Sequence, residues 1–104
     1  MKIAAKSIAW TDPNAGIGVA SFYLYYTAGS GTTFSYDDPK VAIPAVVGQS
    51  EYVYNLPGVI PLTEGEWTLR IAAADAEGNI SDPASLTRFF DFTAPLAPSN
   101  LRVL

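Results

Sequence analysis

The sequence contains no cysteine and no histidine among its 104 residues. Without cysteine there are no disulfides, thiolate nucleophiles or cysteine-ligated metals, and the redox compartment stays open because a cysteine-free chain persists in any of them. Without histidine the chain lacks the commonest general base and the commonest zinc ligand, which excludes a serine–histidine–aspartate triad. We therefore expect no catalytic residues, no metal site and no cofactor.

Charged residues are also few, and long apolar runs are absent. Ten acidic and six basic side chains leave a net charge of −4, which disfavours binding to nucleic acid phosphates or anionic lipids because both need clustered Lys and Arg. No apolar run approaches the roughly 20 residues that span a bilayer. Lys6 and Ser7 interrupt the N-terminal apolar stretch, so no signal peptide is predicted. We expect neither nucleic acid binding nor membrane insertion.

Hydrophobic residues, by contrast, make up 49% of the chain, which favours a folded domain over disorder. Aromatic and β-branched residues alternate with polar ones most clearly at 19–27 and at 67–74, which predicts two long strands. No window has a convincing helical period. Further strands are predicted at 8–10, 32–36, 50–56, 85–92 and 99–104, and Pro44 assigns 41–49 to a sheet edge or a packed loop.

Acidic residues cluster at one predicted turn, where Asp75, Glu77 and Asp82 flank Gly78 and Asn79. Such a loop can bind calcium, but its spacing does not match that of a calcium-binding loop. We interpret Asp75 as an acceptor for nearby backbone N–H groups. Two carboxylates could also serve glycoside hydrolysis, but no insertion that would form a cleft accompanies them.

Trp10 ahead of a Pro-containing loop, the alternating residues of 19–27 and 67–74, and the Asp75–Ser81 turn follow one another along the chain. This order resembles that of a fibronectin type III or bacterial immunoglobulin-like module. The resemblance implies an all-β fold: an immunoglobulin-like, fibronectin type III-type antiparallel β-sandwich over 1–94, followed by a Pro-rich linker and a further strand segment over 95–104. One departure is Trp67, which stands where the family has the tyrosine of the tyrosine corner. The corner hydrogen bond must then come from the indole N–H or be absent. The matching residues are Trp10 for strand B, Val19, Phe22, Leu24 and Tyr26 for strand C, and Leu62, Gly65, Trp67, Ile71 and Ala73 for strand F.

The family's first strand is missing ahead of Trp10, which only nine residues precede, and a similar segment follows at 99–104. One interpretation is that the sequence boundary clips one module and retains a piece of the next. The other is that the C-terminal segment fills the vacant sheet edge, either in its own sandwich or in a neighbouring copy, because an open edge is a template for strand addition. The predicted assembly strand comprises Asn100, Leu101, Arg102, Val103 and Leu104.

A second candidate site is the outer face of the predicted sheet. Tyr23 and Tyr25 should point away from the core, and Arg70 and Phe89 should share their face. Aromatic residues and arginine are enriched at protein interfaces. The plain alternative is that these tyrosines are present because they favour strand formation.

The resemblance and these surfaces together predict a non-enzymatic structural or adhesive module that binds protein, including its own copies. Such a module belongs in a phage virion or in an extracellular or cell-surface protein. The alternative is a carbohydrate-binding accessory module, in which exposed aromatic rings stack on sugars.

Overall fold

The computed structural model of the protein describes all residues from 1 to 104. One short 3-10 turn, Leu56–Gly58, is its only helical segment, and no helix is long and apolar enough to cross a membrane. The six strands are β1 (Ser7–Thr11), β2 (Ser21–Ala28), β3 (Lys40–Pro44), β4 (Glu51–Asn55), β5 (Gly65–Ala74) and β6 (Ala84–Phe90).

The strands form two antiparallel sheets, one of two strands ordered β1-β4 and one of four strands ordered β3-β2-β5-β6. This nearly all-β architecture is consistent with the predicted β-sandwich. The placement of Pro44 at the end of an edge strand is also confirmed, since β3 pairs only with β2. The short strand predicted at 32–36 is wrong, because these residues form a loop.

The core lies between the sheets. The larger sheet contributes Phe22, Leu24 and Leu69, which alternate with outward residues because successive side chains in a strand point to opposite faces. The smaller sheet contributes Tyr52, whose ring lies 5.3 Å from that of Trp10 with the planes 4° apart. The tryptophan of β1 is therefore part of the layer that closes the core.

Of the two alternatives predicted for Trp67, an indole hydrogen bond or none, the structure contains the hydrogen bond. The indole Nε1–H of Trp67, near the start of β5, donates to the carbonyl oxygen of Thr63 at 2.9 Å. The bond reaches back four residues along the chain. A tryptophan thus fixes the corner that leads into β5.

The interpretation of Asp75 is also confirmed. Its Oδ1 accepts from the backbone N–H groups of Glu77 and Asn79, and its Oδ2 accepts from the Asn79 side-chain amide at 2.9 Å. The bond from the Asn79 side chain, followed by those from the backbone, lowers the pKa of the Asp75 carboxyl. This carboxylate is committed to shaping the turn between β5 and β6.

The chain after β6 extends away from the sandwich. Thr93 is held by hydrogen bonds of its hydroxyl and of the neighbouring Phe92 N–H to the Glu64 carboxylate. Beyond it the side chains of Leu96, Leu101 and Val103 are fully exposed. The Cα radius of gyration is 17.8 Å, against about 13 Å for a compact chain of this length. The strand predicted at 99–104 is not formed in the single chain, because no neighbour supplies its ladder hydrogen bonds.

Candidate functional site

The outer face of the larger sheet is covered by residues 29–39. Tyr25 of β2 has no exposed surface, although its side chain points away from the core as predicted. The ring of Phe34 meets it edge-on, with the centroids 5.0 Å apart. The ring of Tyr36 lies 6.4 Å away, and its hydroxyl donates to the Ser81 carbonyl oxygen. The predicted exposure of Tyr25 is therefore wrong, because a loop folds over the strand.

Arg70 of β5 is likewise occupied by this loop. Its Nη2 donates to the carbonyl oxygen of Thr32 at 2.9 Å, and its guanidinium carbon lies 5.3 Å from the centre of the Phe34 ring. A charge-assisted hydrogen bond and a cation–π contact together hold the loop against the sheet. The guanidinium therefore has partners inside the chain, and the role of Arg70 in binding another molecule stays a prediction.

The hydroxyl of Tyr25 is buried in this layer without a hydrogen-bond partner. Burial raises the pKa of Tyr25, and the neighbouring Tyr23, Tyr36, Asp37 and Asp38 add to the increase. The neutral phenol is accordingly the stable form. A buried hydroxyl without a partner costs stability, so the ring rather than the oxygen is what this site requires.

The other two predicted residues lie apart from each other. Tyr23 is half-buried, with the ammonium of Lys40 5.5 Å from its ring centre. Phe89 remains 66% exposed and pairs with Glu66, whereas the partner of Arg70 is Ser85. Four residues along a strand span about 13 Å. The four predicted residues therefore share a face, as predicted, but do not form one continuous accessible surface.

The inner face has the opposite character beside β6. Leu86 and Arg88 pair with Leu69 and Trp67, which assigns all of them to the core side of the sheet. Even so, Leu86 is 38% exposed and Arg88 is exposed. The two-stranded sheet does not extend over β6, so its inner stripe meets solvent. Arg88 therefore lies on the inner face of the sheet, a question that the sequence left open.

A groove of about 200 Å³ consequently opens between β1 and β6. Most of its surface is apolar. The side chains that line it include Ile8 and Trp10 of β1, Leu24 of β2, Leu69 and Ile71 of β5, and Leu86 of β6.

The edge of β1 that borders the groove is unpaired. Its ladder with β4 ends in bonds from Leu56 N–H to Lys6 O and from Asp12 N–H to Ser50 O. In an antiparallel ladder these bonds direct the peptide groups of alternate residues to the partner strand. The N–H and C=O groups of the intervening residues, Ser7, Ala9 and Thr11, therefore point outward at the open edge.

The indole of Trp10 faces the same region. Its Nε1 atom is buried and has no hydrogen-bond partner. A buried donor without an acceptor is uncommon and costs stability. The groove thus combines an apolar lining with a free strand edge, and Trp10 is part of that lining.

The far end of the sandwich, where β1 ends, carries a second apolar feature. The buried carboxylate of Asp12 accepts from the N–H groups of Asn14 and Gly16 at 2.8 and 2.7 Å, which fixes the loop after β1. The side chains of Ile17 and Val47, at 73% and 78% exposed, project from this loop and from the loop before β4. The loop after β1 is thus held by hydrogen bonds, and both loops carry apolar side chains at their tips.

The sequence did not predict the groove, because its walls come from residues 8–10 and 84–86, which are far apart along the chain. One signal was available: Leu86, Arg88 and Phe90 share a period of two on the last strand of the sheet. A charged residue inside such a stripe indicates an incompletely covered edge. No group of three carboxylates, the only potential metal-ligating side chains in a chain without His or Cys, lies close enough to hold a metal ion.

The geometry of the two faces is the available basis for a functional proposal. No protein-family model matches the sequence, and neither a curated protein nor a solved structure shows a significant similarity to it.

Proposed function

We propose that this chain is a fibronectin type III-like β-sandwich that acts as a non-enzymatic structural module. It joins protein subunits, including copies of itself, within a larger assembly such as a virion or a cell-surface protein. The strand order supports the family, because β1-β4 and β3-β2-β5-β6 correspond to the B–E and C′–C–F–G strands of an immunoglobulin-like sandwich.

The observation that carries the proposal is the open groove beside the unpaired edge of β1. An exposed edge offers backbone donors and acceptors to another chain, and the adjacent apolar surface supplies the burial that gives such pairing its stability. Both lie on one side of the molecule, where a single added segment can use them together. Strand addition is a recognised way of joining protein subunits.

The arrangement of the carboxylates supports a structural rather than a catalytic role. The side chains of Asp12, Asp38 and Asp75 each accept hydrogen bonds from backbone N–H groups of their own loops. A general acid or base must instead be free to reach a substrate. These carboxylates are already committed to holding turns.

The aromatic residues support binding to protein over binding to carbohydrate. Stacking on a sugar needs accessible ring faces, whereas Tyr25 is covered and the rings of Phe34 and Tyr36 meet each other at 73°. Tyr36, at 40% exposed, and the half-buried Tyr23 and Phe34 retain accessible surface in this cluster, but their rings do not form a flat platform.

Sedimentation velocity of the chain from micromolar to millimolar concentration, together with a glycan-binding screen, tests this function. We expect the mean mass to rise with concentration and the screen to return background signal. A chain that stays monomeric throughout and binds a glycan would contradict the proposal in favour of the carbohydrate-binding module.

A further inference from the structure

We propose that the groove between β1 and β6 is the acceptor site for the C-terminal segment Asn100–Leu104 of a second copy of this chain. That segment adds to the open edge of β1 as a third strand of the small sheet, antiparallel to β1. The inference rests on the proposed function in one respect, which is that copies of the chain associate.

The length and side-chain spacing of the segment fit the site. β1 has five residues, as does Asn100–Leu104. In an extended conformation Leu101 and Val103 share one face, and Arg102 lies on the other. With the apolar pair turned into the groove, Arg102 faces solvent opposite Ala9, whose side chain is also exposed.

The apolar side chains of the segment are not covered by any part of their own chain. Leu101 and Val103 are at least 99% exposed, an unfavourable state for apolar side chains two residues apart. In the groove, Leu86 is exposed, and the peptide groups of Ser7, Ala9 and Thr11 are unpaired at the edge of β1. Docking the segment buries the apolar groups of both and pairs backbone with backbone.

The end of the sandwich at which the C-terminal segment leaves the domain determines whether it pairs parallel or antiparallel to β1. Residues 86–90 at the end of β6 lie beside residues 5–8 at the start of β1, while Ala84 lies beside Trp10 at the other end of the groove. The chain therefore leaves at one end of the sandwich. A second copy placed beyond this end in the same orientation has its own Trp10 end nearest to the emerging segment. The segment therefore enters the groove of the second copy at Trp10 and runs towards Ser7 of that copy, antiparallel to its β1.

The reach of the connector favours a second copy over the same chain. Thr93 is bonded to Glu64, and Ser99 follows six residues later, so the connector spans at most about 22 Å. β6, with its six steps from Ala84 to Phe90, is itself about 20 Å long. For antiparallel pairing with its own β1, the segment would first have to reach the Trp10 end of the groove, which would use the whole connector, including Pro95 and Pro98, and leave no residues for two reversals of direction. Entry into a neighbour needs no reversal.

Single-cysteine variants test the site in a chain that contains no other cysteine. Ala9→Cys protein is mixed with Arg102→Cys protein under mild oxidation, and the covalent heterodimer is identified by its mass. Because each chain has one thiol, this heterodimer forms only between copies. Directly opposed residues lie about 5.5 Å apart in a hydrogen-bonded antiparallel pair, within the range that a disulfide bridges.

The matched control is Val53→Cys on β4, which is also exposed and pairs with Ala9 on the side away from the groove. It lies one strand farther from the docked segment, at about 9.6 Å, beyond the reach of a disulfide. We expect the Ala9 variant to give about ten-fold more heterodimer than the Val53 variant. Equal yields, or no heterodimer from either variant, would overturn the assignment of the edge.

A second pair of variants separates this inference from the proposed function. The segment lies outside the core, so Leu101→Asp with Val103→Asp leaves the sandwich folded, and Arg102→Ser is the control on the opposite face. We expect the double variant to sediment as a monomer where the control still associates. Association that persists in the double variant overturns the acceptor site but leaves the proposed function standing. An unmodified chain that remains monomeric at every concentration overturns both.

Discussion

The two faces of the four-stranded sheet are both rich in apolar and aromatic side chains, yet one is closed and the other is open along β6. On the outer face, residues 29–39 cover Tyr25 and engage Arg70, so that the surface predicted to bind a partner is used within the chain. On the inner face, the two-stranded sheet stops short of β6 and leaves Leu86 exposed. Whether an apolar strand face is core or interface therefore depends on which distant segment covers it.

The largest expected effect comes from removing the ring at the centre of the closed face. Tyr25→Ala should destabilise the domain by about 3–5 kcal/mol, the range for deleting a buried aromatic side chain. Urea unfolding checks this value. A loss below about 1 kcal/mol, which is typical of surface substitutions, would mean that residues 29–39 do not cover the face.

Two leucines directly opposite each other in the β5–β6 ladder sharpen the comparison within one face. Leu69→Ala should cost about 2–5 kcal/mol because the side chain is in the core, whereas Leu86→Ala should cost only about 1 kcal/mol in the dilute monomer. Unfolding curves measured at low and high protein concentration check the pair. At high concentration we expect the cost of Leu86→Ala to grow, since the proposed segment would then bury this side chain.

The two arginines of the sheet provide a matched pair for the loop. Arg70→Ala removes a charge-assisted hydrogen bond and a cation–π contact and should cost about 1–3 kcal/mol, with faster amide exchange across 29–39. Arg88→Ala, at an exposed position, should change stability by less than about 0.5 kcal/mol. Similar exchange rates in both variants would contradict the role assigned to Arg70.

The smallest expected effect concerns the hydroxyl of Tyr25. Because the pKa of Tyr25 is raised in the folded state, the folded protein binds its proton more tightly than the unfolded chain does. Its contribution to stability is therefore fully present below the ordinary tyrosine pKa of about 10 and is lost as pH rises above it.

Tyr25→Phe should leave stability at neutral pH within about 1 kcal/mol of that of the original chain, since the hydroxyl has no partner to lose. It should also reduce the decline at alkaline pH, which thermal unfolding at a series of pH values measures. A variant whose alkaline decline equals that of the original chain would show that Tyr25 is not the group responsible.

The strands were predictable because their physics is local. The alternation of Trp67, Leu69 and Ile71 fixes the core face of β5, and the Asp75 turn is made by residues only two to four positions apart. The indole bond of Trp67 could be foreseen for the same reason, since its acceptor lies four residues upstream.

The candidate sites were less predictable because they depend on contacts between distant parts of the chain. Tyr25 reads as an outward strand residue, and nothing in its neighbours reveals that Phe34 folds over it. The groove depends on how far one sheet extends over the other, which residues 7–11 and 84–90 determine jointly. The C-terminal segment has the alternation of a strand but no neighbour within its own chain, so its pattern alone cannot say whether it is paired.

Amide hydrogen exchange at single-residue resolution, recorded in dilute and in concentrated protein, tests the contrast between the closed and open faces most directly. We predict that the β2 and β5 amides are protected in both samples. The amides of Ser7, Ala9 and Thr11, which point to the open edge, should exchange rapidly when dilute and slowly when concentrated. Protection of these three amides that is the same at both concentrations, or absent at both, would contradict the account.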